Sequence, residues 1–152
     1  MRLWIAAVGR LRAGPVKDVV EDYARRSPWP LAIREVEVRK RLQGPELKRA
    51  EAALLLEAVP RDSRLVALDE RGRDLSSEAF AERLGRWRDE GVGDLAFLIG
   101  GADGHDETIR ERAALTLAFG RMTWPHMLAR AMLAEQIYRA QTILEGHPYH
   151  RS

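Results

Sequence analysis

Cysteine is absent from the 152 residues. Its absence excludes disulfides and thiolate zinc sites and is compatible with a reducing compartment. Long apolar runs are missing too: no stretch approaches the roughly 20 residues that a membrane-spanning helix needs. The run in "MRLWIAAVGRL" is about seven residues long, near the lower limit of a secretion-signal core, and no basic segment of any length precedes it. A buried first strand is the better reading. Lysine is scarce, 3 residues against 22 arginines. Arginine's planar fork suits phosphates and base edges, although a compositional bias of the genome explains the ratio more simply. Metal-ligand spacings are lacking as well. His105, His126, His147 and His150 form neither H-x-x-x-H nor H-E-x-x-H, and no carboxylate accompanies the last two, so no metal is expected.

What is present reads as one globular domain over residues 1–152. The chain is 45% hydrophobic and 32% charged, and it is long enough to bury a core. The formal net charge is only +2, which does not announce a nucleic-acid binder. The distribution says more. Residues 110–152 hold six arginines against three glutamates, and the remainder is close to neutral.

Apolar periodicity alternates between strand and helix. Strands are expected at 2–9, 31–38, 64–69 and 94–101. The second alternates apolar and charged residues, as a half-exposed strand near a sheet edge does. Helices are expected at 14–27, 44–59, 76–91, 105–119 and 124–146. Pro45 suits a first helical turn, a serine and Asp106 suit N-caps, and Gly91 and Gly146 suit helix stops. Strands alternating with helices predict an α/β domain, a parallel sheet with helices on both faces. The last helix is apolar around most of its circumference through Met127, Leu128, Met132, Leu133, Ile137, Tyr138 and Ile143. Burial on several sides, by its own sheet or by a second copy, follows. Glu135 and Arg139 stand four apart on it, in the favourable order for an ion pair.

Ligands of open α/β sheets bind beyond the C-terminal ends of the strands. Three stretches fall there: "LDERG" (68–72), "LIGGADGHDE" (98–107) and "FGRMTWPH" (119–126). The glycines of "IGGADG" match neither G-x-G-x-x-G nor a P-loop, and Asp103, Asp106 and Glu107 would repel a phosphate at the helix start. On local evidence a tight turn with acidic caps explains them. Around "FGRMTWPH", Gly120 can bring backbone groups close, Thr123 offers a hydroxyl, and Met122 and Trp124 can cover a ring such as adenine. An ordinary strand–Pro–helix junction is the alternative. The basic stretch "RKRLQGPELKR" (39–49) reads equally as a solvated loop or an RNA-phosphate patch.

Taken in order, "AVG" after the first strand, "LD" at 68–69, "LIGG", "MTWPH", "LAEQIYRA" and the terminal "HPYHR" resemble the RlmH family, and the resemblance covers essentially the whole chain. These are small methyltransferases of the SPOUT superfamily that methylate N3 of a pseudouridine in large-subunit (23S) ribosomal RNA. The resemblance implies an α/β fold whose C-terminal part forms a deep trefoil knot, an exception to the usual avoidance of knots. It implies a homodimer with a pocket built across the dimer interface and S-adenosylmethionine bound bent in the knot. A compact chain offers little surface for reading sequence, so an assembled ribosome in the cytoplasm, rather than free RNA, is the expected target. By motif match, cofactor contacts would come from Leu68, Gly100 and the run Phe119, Gly120, Arg121, Met122, Thr123 and Trp124. Because that cofactor carries no phosphate, acids after Gly101 do no harm. Gly120 departs from a serine expected in many members, which removes one side-chain contact and leaves the backbone ones. Glu135, Arg139, Tyr149, His150 and Arg151 match positions for substrate binding or catalysis. His150 is the candidate base, since imidazole changes charge near neutral pH. Arg139 or Arg151 would stabilise an anion or grip a phosphate, Tyr149 would stack on the base or bond to it, and Glu135 would orient Arg139. Rival readings are a SPOUT enzyme acting on transfer RNA and a non-catalytic RNA- or nucleotide-binding module.

Overall fold

The computed structural model describes residues 1–150. Five strands form one parallel sheet: β1 (Arg2–Val8), β2 (Leu31–Val36), β3 (Arg64–Asp74), β4 (Asp94–Ile99) and β5 (Leu115–Ala118). Their spatial order is β2-β1-β4-β3-β5. The alternating strand β2 lies at an edge, paired with β1 in the register Leu3↔Leu31 to Val8↔Val36. The apolar strands β1 and β4 lie inside, where both faces of each strand are covered.

Helices α1 (Pro15–Arg26), α2 (Gly44–Glu57), α3 (Ser77–Asp89), α4 (Glu107–Arg112) and α5 (His126–Glu145) cover the sheet, and a short 3-10 turn, Pro148–His150, follows. Two apolar layers divide them. On one face Phe80, Leu84 and Trp87 of α3 and Leu133, Ile137 and Ala140 of α5 pack on Leu3, Ile5, Phe97 and Ile99. On the other, Ala52 and Leu55 of α2 and Ile109 of α4 pack on Ala6, Val8, Ala67 and Leu98. Because successive strand residues point to opposite faces, β1 and β4 feed both layers. A smaller cluster of Leu11, Val20 and Ala131 binds α1 to α5.

The termini follow local chemistry. Ser76 caps α3 by accepting the Ala79 amide at 3.1 Å, and Asp106 caps α4 by accepting the Thr108 amide. Gly146 ends α5 in the left-handed region at φ 70, where a side chain would be strained.

One sequence expectation is corrected. Residues 105–119 are not a single helix: α4 stops at Arg112 and Leu115–Ala118 becomes strand β5. A second correction accompanies the first. β3 continues past residue 69 to Asp74: Val66–Leu68 pair with Leu115–Leu117, and Arg73 and Asp74 of the extension pair with Leu117 and Ala118. Leu68 and Arg73 both face Leu117, so Asp69–Gly72 form a bulge in β3. Gly72 permits it, because a Cβ there would lie 2.6 Å from the carbonyl oxygen of Thr116.

Candidate active site

A cleft of about 540 Å³ opens at the C-terminal ends of β3, β4 and β5. Seven of the eight positions expected to touch a cofactor line it: Leu68 at the β3 bulge, Gly100 after β4, and Phe119, Gly120, Met122, Thr123 and Trp124 between β5 and α5. Arg121 belongs to the same segment, is exposed, and does not line the cleft. Hydrogen bonds fix this wall. The Trp124 indole donates to the Phe119 carbonyl at 2.9 Å. The Thr123 hydroxyl donates to Glu70 at 3.0 Å, and the Gly120 amide donates to Asp74 at 3.0 Å. Thr123 is thus already engaged with the β3 bulge. Met122 is 75% exposed at the rim.

The opposite wall is acidic and tight. A Cβ at Gly100 would lie 3.1 Å from the Gly104 backbone, so the β4–α4 turn closes over a glycine. Asp69 accepts the Arg71 amide at 2.9 Å and the Arg71 guanidinium at 3.2 Å. Burial works to raise the Asp69 carboxyl, but these bonds outweigh it and hold the group below its ordinary value. Beneath the turn, His105 is buried and donates Nε2–H to the Leu98 carbonyl at 2.9 Å. Burial pushes its imidazole below the ordinary value. Glu51 of α2 presses against Gly101, and its Oε1 is buried without a hydrogen-bond partner among the described residues. Burial, then the charge of Asp103, raises its carboxyl.

A second cluster gathers where the tail folds back on α5. Glu135 Oε1 accepts the Arg139 guanidinium at 2.6 and 2.9 Å and the Tyr149 hydroxyl at 3.0 Å. Tyr149 in turn accepts from the Tyr23 hydroxyl at 2.9 Å. Its ring meets Tyr138 edge-on at 4.8 Å, and Arg139 lies over it at 5.2 Å. Burial and the bonds to Tyr23 and Glu135 push the Tyr149 phenol well above its usual range. Arg26 completes the seat, 4.6 Å from the Tyr138 ring centre and 5.5 Å from that of Tyr149. His150 stands in the 3-10 turn with Nδ1 buried and unpartnered among the described residues. Arg151 lies outside the described residues.

Sequence reasoning missed Tyr23, Arg26, Asp74 and Glu51. The "EDYARR" helix and the charged "DERGRD" segment carry no sign of whom they face, since their partners lie 46 to 126 residues away. It also missed Arg130, whose side chain is 0% exposed and pairs with Glu35 at 2.7 Å. Arg130 further donates to the Gly9 carbonyl at 3.1 Å, tying α5 to the end of β1.

The cleft and the tail cluster do not meet within one chain. Ala129 lines the cleft. Glu135 and Arg139 stand six and ten residues further along α5, roughly 9 and 15 Å at the helical rise. One group is a concave cleft walled by apolar side chains and backbone; the other gathers an imidazole, a guanidinium and a phenol.

Comparison with known proteins gives the assembly a context. The family described as predicted SPOUT methyltransferase matches residues 1–150. A Rhodospirillum centenum protein called ribosomal RNA large subunit methyltransferase H is 67% identical over 152 residues, covering 100% of both chains. A probable methylase family protein from Haemophilus influenzae Rd KW20 shares the fold at TM-score 0.59 and 8% identity, over 99% of this chain and 70% of that one. A SpoU methyltransferase from Streptomyces viridochromogenes, solved with the cofactor AdoMet, shares it at TM-score 0.51 and 13% identity, over 93% of this chain and 61% of that one. With the family model and the full-length relative in agreement with the sheet order and the cleft, the chain belongs to the SPOUT methyltransferases and, among them, to the ribosomal RNA large subunit methyltransferase H family.

Proposed function

We propose that this chain transfers a methyl group from S-adenosylmethionine to N3 of a pseudouridine in 23S ribosomal RNA on the ribosome, working as a cytoplasmic homodimer with a trefoil-knotted C-terminal half. The observation that carries the reading is full-length identity of 67% to a ribosomal RNA large subunit methyltransferase H. The cleft supports the cofactor. Its volume is that of a small-molecule site, its walls combine apolar side chains with backbone at Gly100 and Gly120, and its lining holds no phosphate-binding motif. Asp69, Glu70 and Asp103 outnumber Lys48 and Arg71 in its lining, a slight negative excess that a positively charged ligand favours. No helix is long and apolar enough to cross a membrane among the described residues.

When bound, the cofactor supplies an electrophilic methyl on a sulfonium. Leu68, Met122 and Trp124 would line it on the apolar side, and the backbone at 100 and 119–120 would orient it. The acceptor nitrogen is mostly protonated at neutral pH, so the protein must take a proton and stabilise the resulting anion. His150 is suited to the first task through its buried, unpartnered Nδ1. Arg139 is suited to the second. Glu135 has its Oε1 filled by Arg139 and Tyr149 and accepts Gln136 on Oε2 at 3.1 Å, so it orients Arg139 rather than acting as a base. Tyr149 bonds Tyr23 and Glu135, and its ring packs on Tyr138, so it positions the tail more than it stacks on a nucleobase. The spacing along α5 between cleft and tail supports a pocket completed by the tail of a second copy.

A tritiated-methyl assay on 70S ribosomes, subunits, free rRNA and transfer RNA tests the reading, followed by nucleoside mass spectrometry. Label in N3-methylpseudouridine of 23S rRNA is expected. Label confined to transfer RNA, or none, would reject it.

A further inference from the structure

At the C-terminal edge of the sheet, β1 and β2 end side by side. The Gly9 amide donates to the Val36 carbonyl at 2.9 Å, and the Leu11 amide to Glu35 at 2.7 Å. The two loops that leave this edge, residues 9–14 and 37–43, carry Arg10, Arg12, Arg39, Lys40 and Arg41 against a single acid, Glu37. All five cations are exposed, and none is in an ion pair among the described residues. Among the described residues eleven ion pairs occupy ten other arginines and one lysine. Glu35 beneath them is taken by Arg130. Arg10 and Arg12 also rim an apolar recess of about 330 Å³ floored by Pro15, Val16 and Met127.

The cleft is next door. A Cβ at Gly9 would lie 3.7 Å from His126, which lines the cleft, and 3.0 Å from Met127, which lines the recess. From the end of β4 to the end of β2 is two strand spacings, roughly 10 Å, a distance that one or two nucleotides span. Cations beside an apolar recess match a polymer that alternates phosphates with flat bases. An acidic protein surface would leave the recess unused.

We propose that the β1–α1 and β2–α2 loops form one RNA-docking surface, where Arg10, Arg12, Arg39, Lys40 and Arg41 grip phosphates of the ribosomal RNA that presents its target base to the adjacent cleft. The assignment rests on the methyltransferase reading above. The segment 39–49, ambiguous as sequence, gains its meaning from Arg10 and Arg12 folded beside it.

The test uses full-length protein with Arg39, Lys40 and Arg41 all changed to Gln, and a second variant with Arg10→Gln and Arg12→Gln. All five side chains are exposed, so both variants should melt with the wild type. Each is assayed for methylation of 70S ribosomes, for S-adenosylmethionine binding, and for the salt dependence of binding to a short fluorescein-labelled single-stranded RNA. The expected result is a ribosome KM raised about tenfold or more, with kcat at saturation and cofactor Kd retained. The slope of log K against log salt should fall by about 0.7 for each phosphate that the variant no longer neutralises. Wild-type KM and wild-type slope in both variants would overturn the proposal. A raised KM with an unchanged RNA slope would also overturn it, by assigning the surface to a ribosomal protein. If wild-type enzyme leaves ribosomes unmethylated, the functional reading fails, and the RNA slope still judges the surface.

Discussion

His150 and His105 show how differently two imidazoles of one chain are used. His150 sits in the tail with a buried Nδ1 that has no hydrogen-bond partner among the described residues. His150→Ala should lower kcat for ribosome methylation by about 10²-fold or more, the usual scale of a positioned base, while S-adenosylmethionine binds as before. A rate equal to wild type would remove His150 as the base. His105 is neutral beneath the β4–α4 turn. Its folded value lies below the roughly 6.5 of an unfolded imidazole, so the unfolded chain binds the extra proton. The stability it contributes is complete above pH about 6.5 and declines as the pH falls through that value. Melting temperature should therefore drop between pH 7.5 and 5.5, and His105→Asn should flatten that slope. Asp69 and Asp94, held below their ordinary values, lose their contribution only at lower pH, near or below about 4. A slope unchanged in the variant would place the titration elsewhere.

At the scale of elements, the joint between α5 and the β1–β2 edge rests on Arg130 and Glu35. The two are not equivalent. Arg130 is 0% exposed, whereas the Glu35 side chain is 31% exposed. Glu35→Ala strands a buried guanidinium on the carbonyls of Val8 and Gly9 and deprives the Leu11 amide of its acceptor. It should cost roughly 3–5 kcal/mol in urea unfolding. Arg130→Met removes the buried charge and leaves a carboxylate that water reaches, so roughly 1–3 kcal/mol is expected. The reverse order would show that Glu35 is the group the fold keeps dry. Strands β1 and β4, the Ser76 and Asp106 caps and the Gly146 stop were legible because each is fixed by residues a few positions apart. Strand β5 was not. "AALTLAF" continues an apolar pattern begun in α4, and nothing local distinguishes four strand residues from another helical turn. Its partners are Val66–Leu68 and, past the bulge, Arg73 and Asp74 of β3, and backbone pairing across that distance leaves no trace in hydropathy.

For the whole molecule, the decisive point is that cleft and tail lie apart on α5. If the pocket joins the cleft of one copy to the tail of another, two crippled proteins should complement each other. Gly100→Val fills the turn where a Cβ would lie 3.1 Å from Gly104, and His150→Ala removes the proposed base. Random mixing gives half mixed dimers with one intact composite site each, so about a quarter of wild-type activity should return on combining two inactive preparations. No recovery after exchange, with dimers verified by ultracentrifugation, would confine the pocket to one chain.

The sequence by itself determined the alternation of strands and helices, most helix ends, the family, and seven positions that line the cleft, because periodicity, caps and ordered motifs are local properties of the chain. Only the tertiary structure decided that residues 105–119 split into helix and strand, that Asp69–Gly72 bulge into the cleft, and that Tyr23 and Arg26 seat the tail. It alone placed two basic loops on one edge. These depend on backbone pairing and on polar contacts between residues up to 126 positions apart, which the burial of the two apolar layers brings together and which no spacing along the chain records.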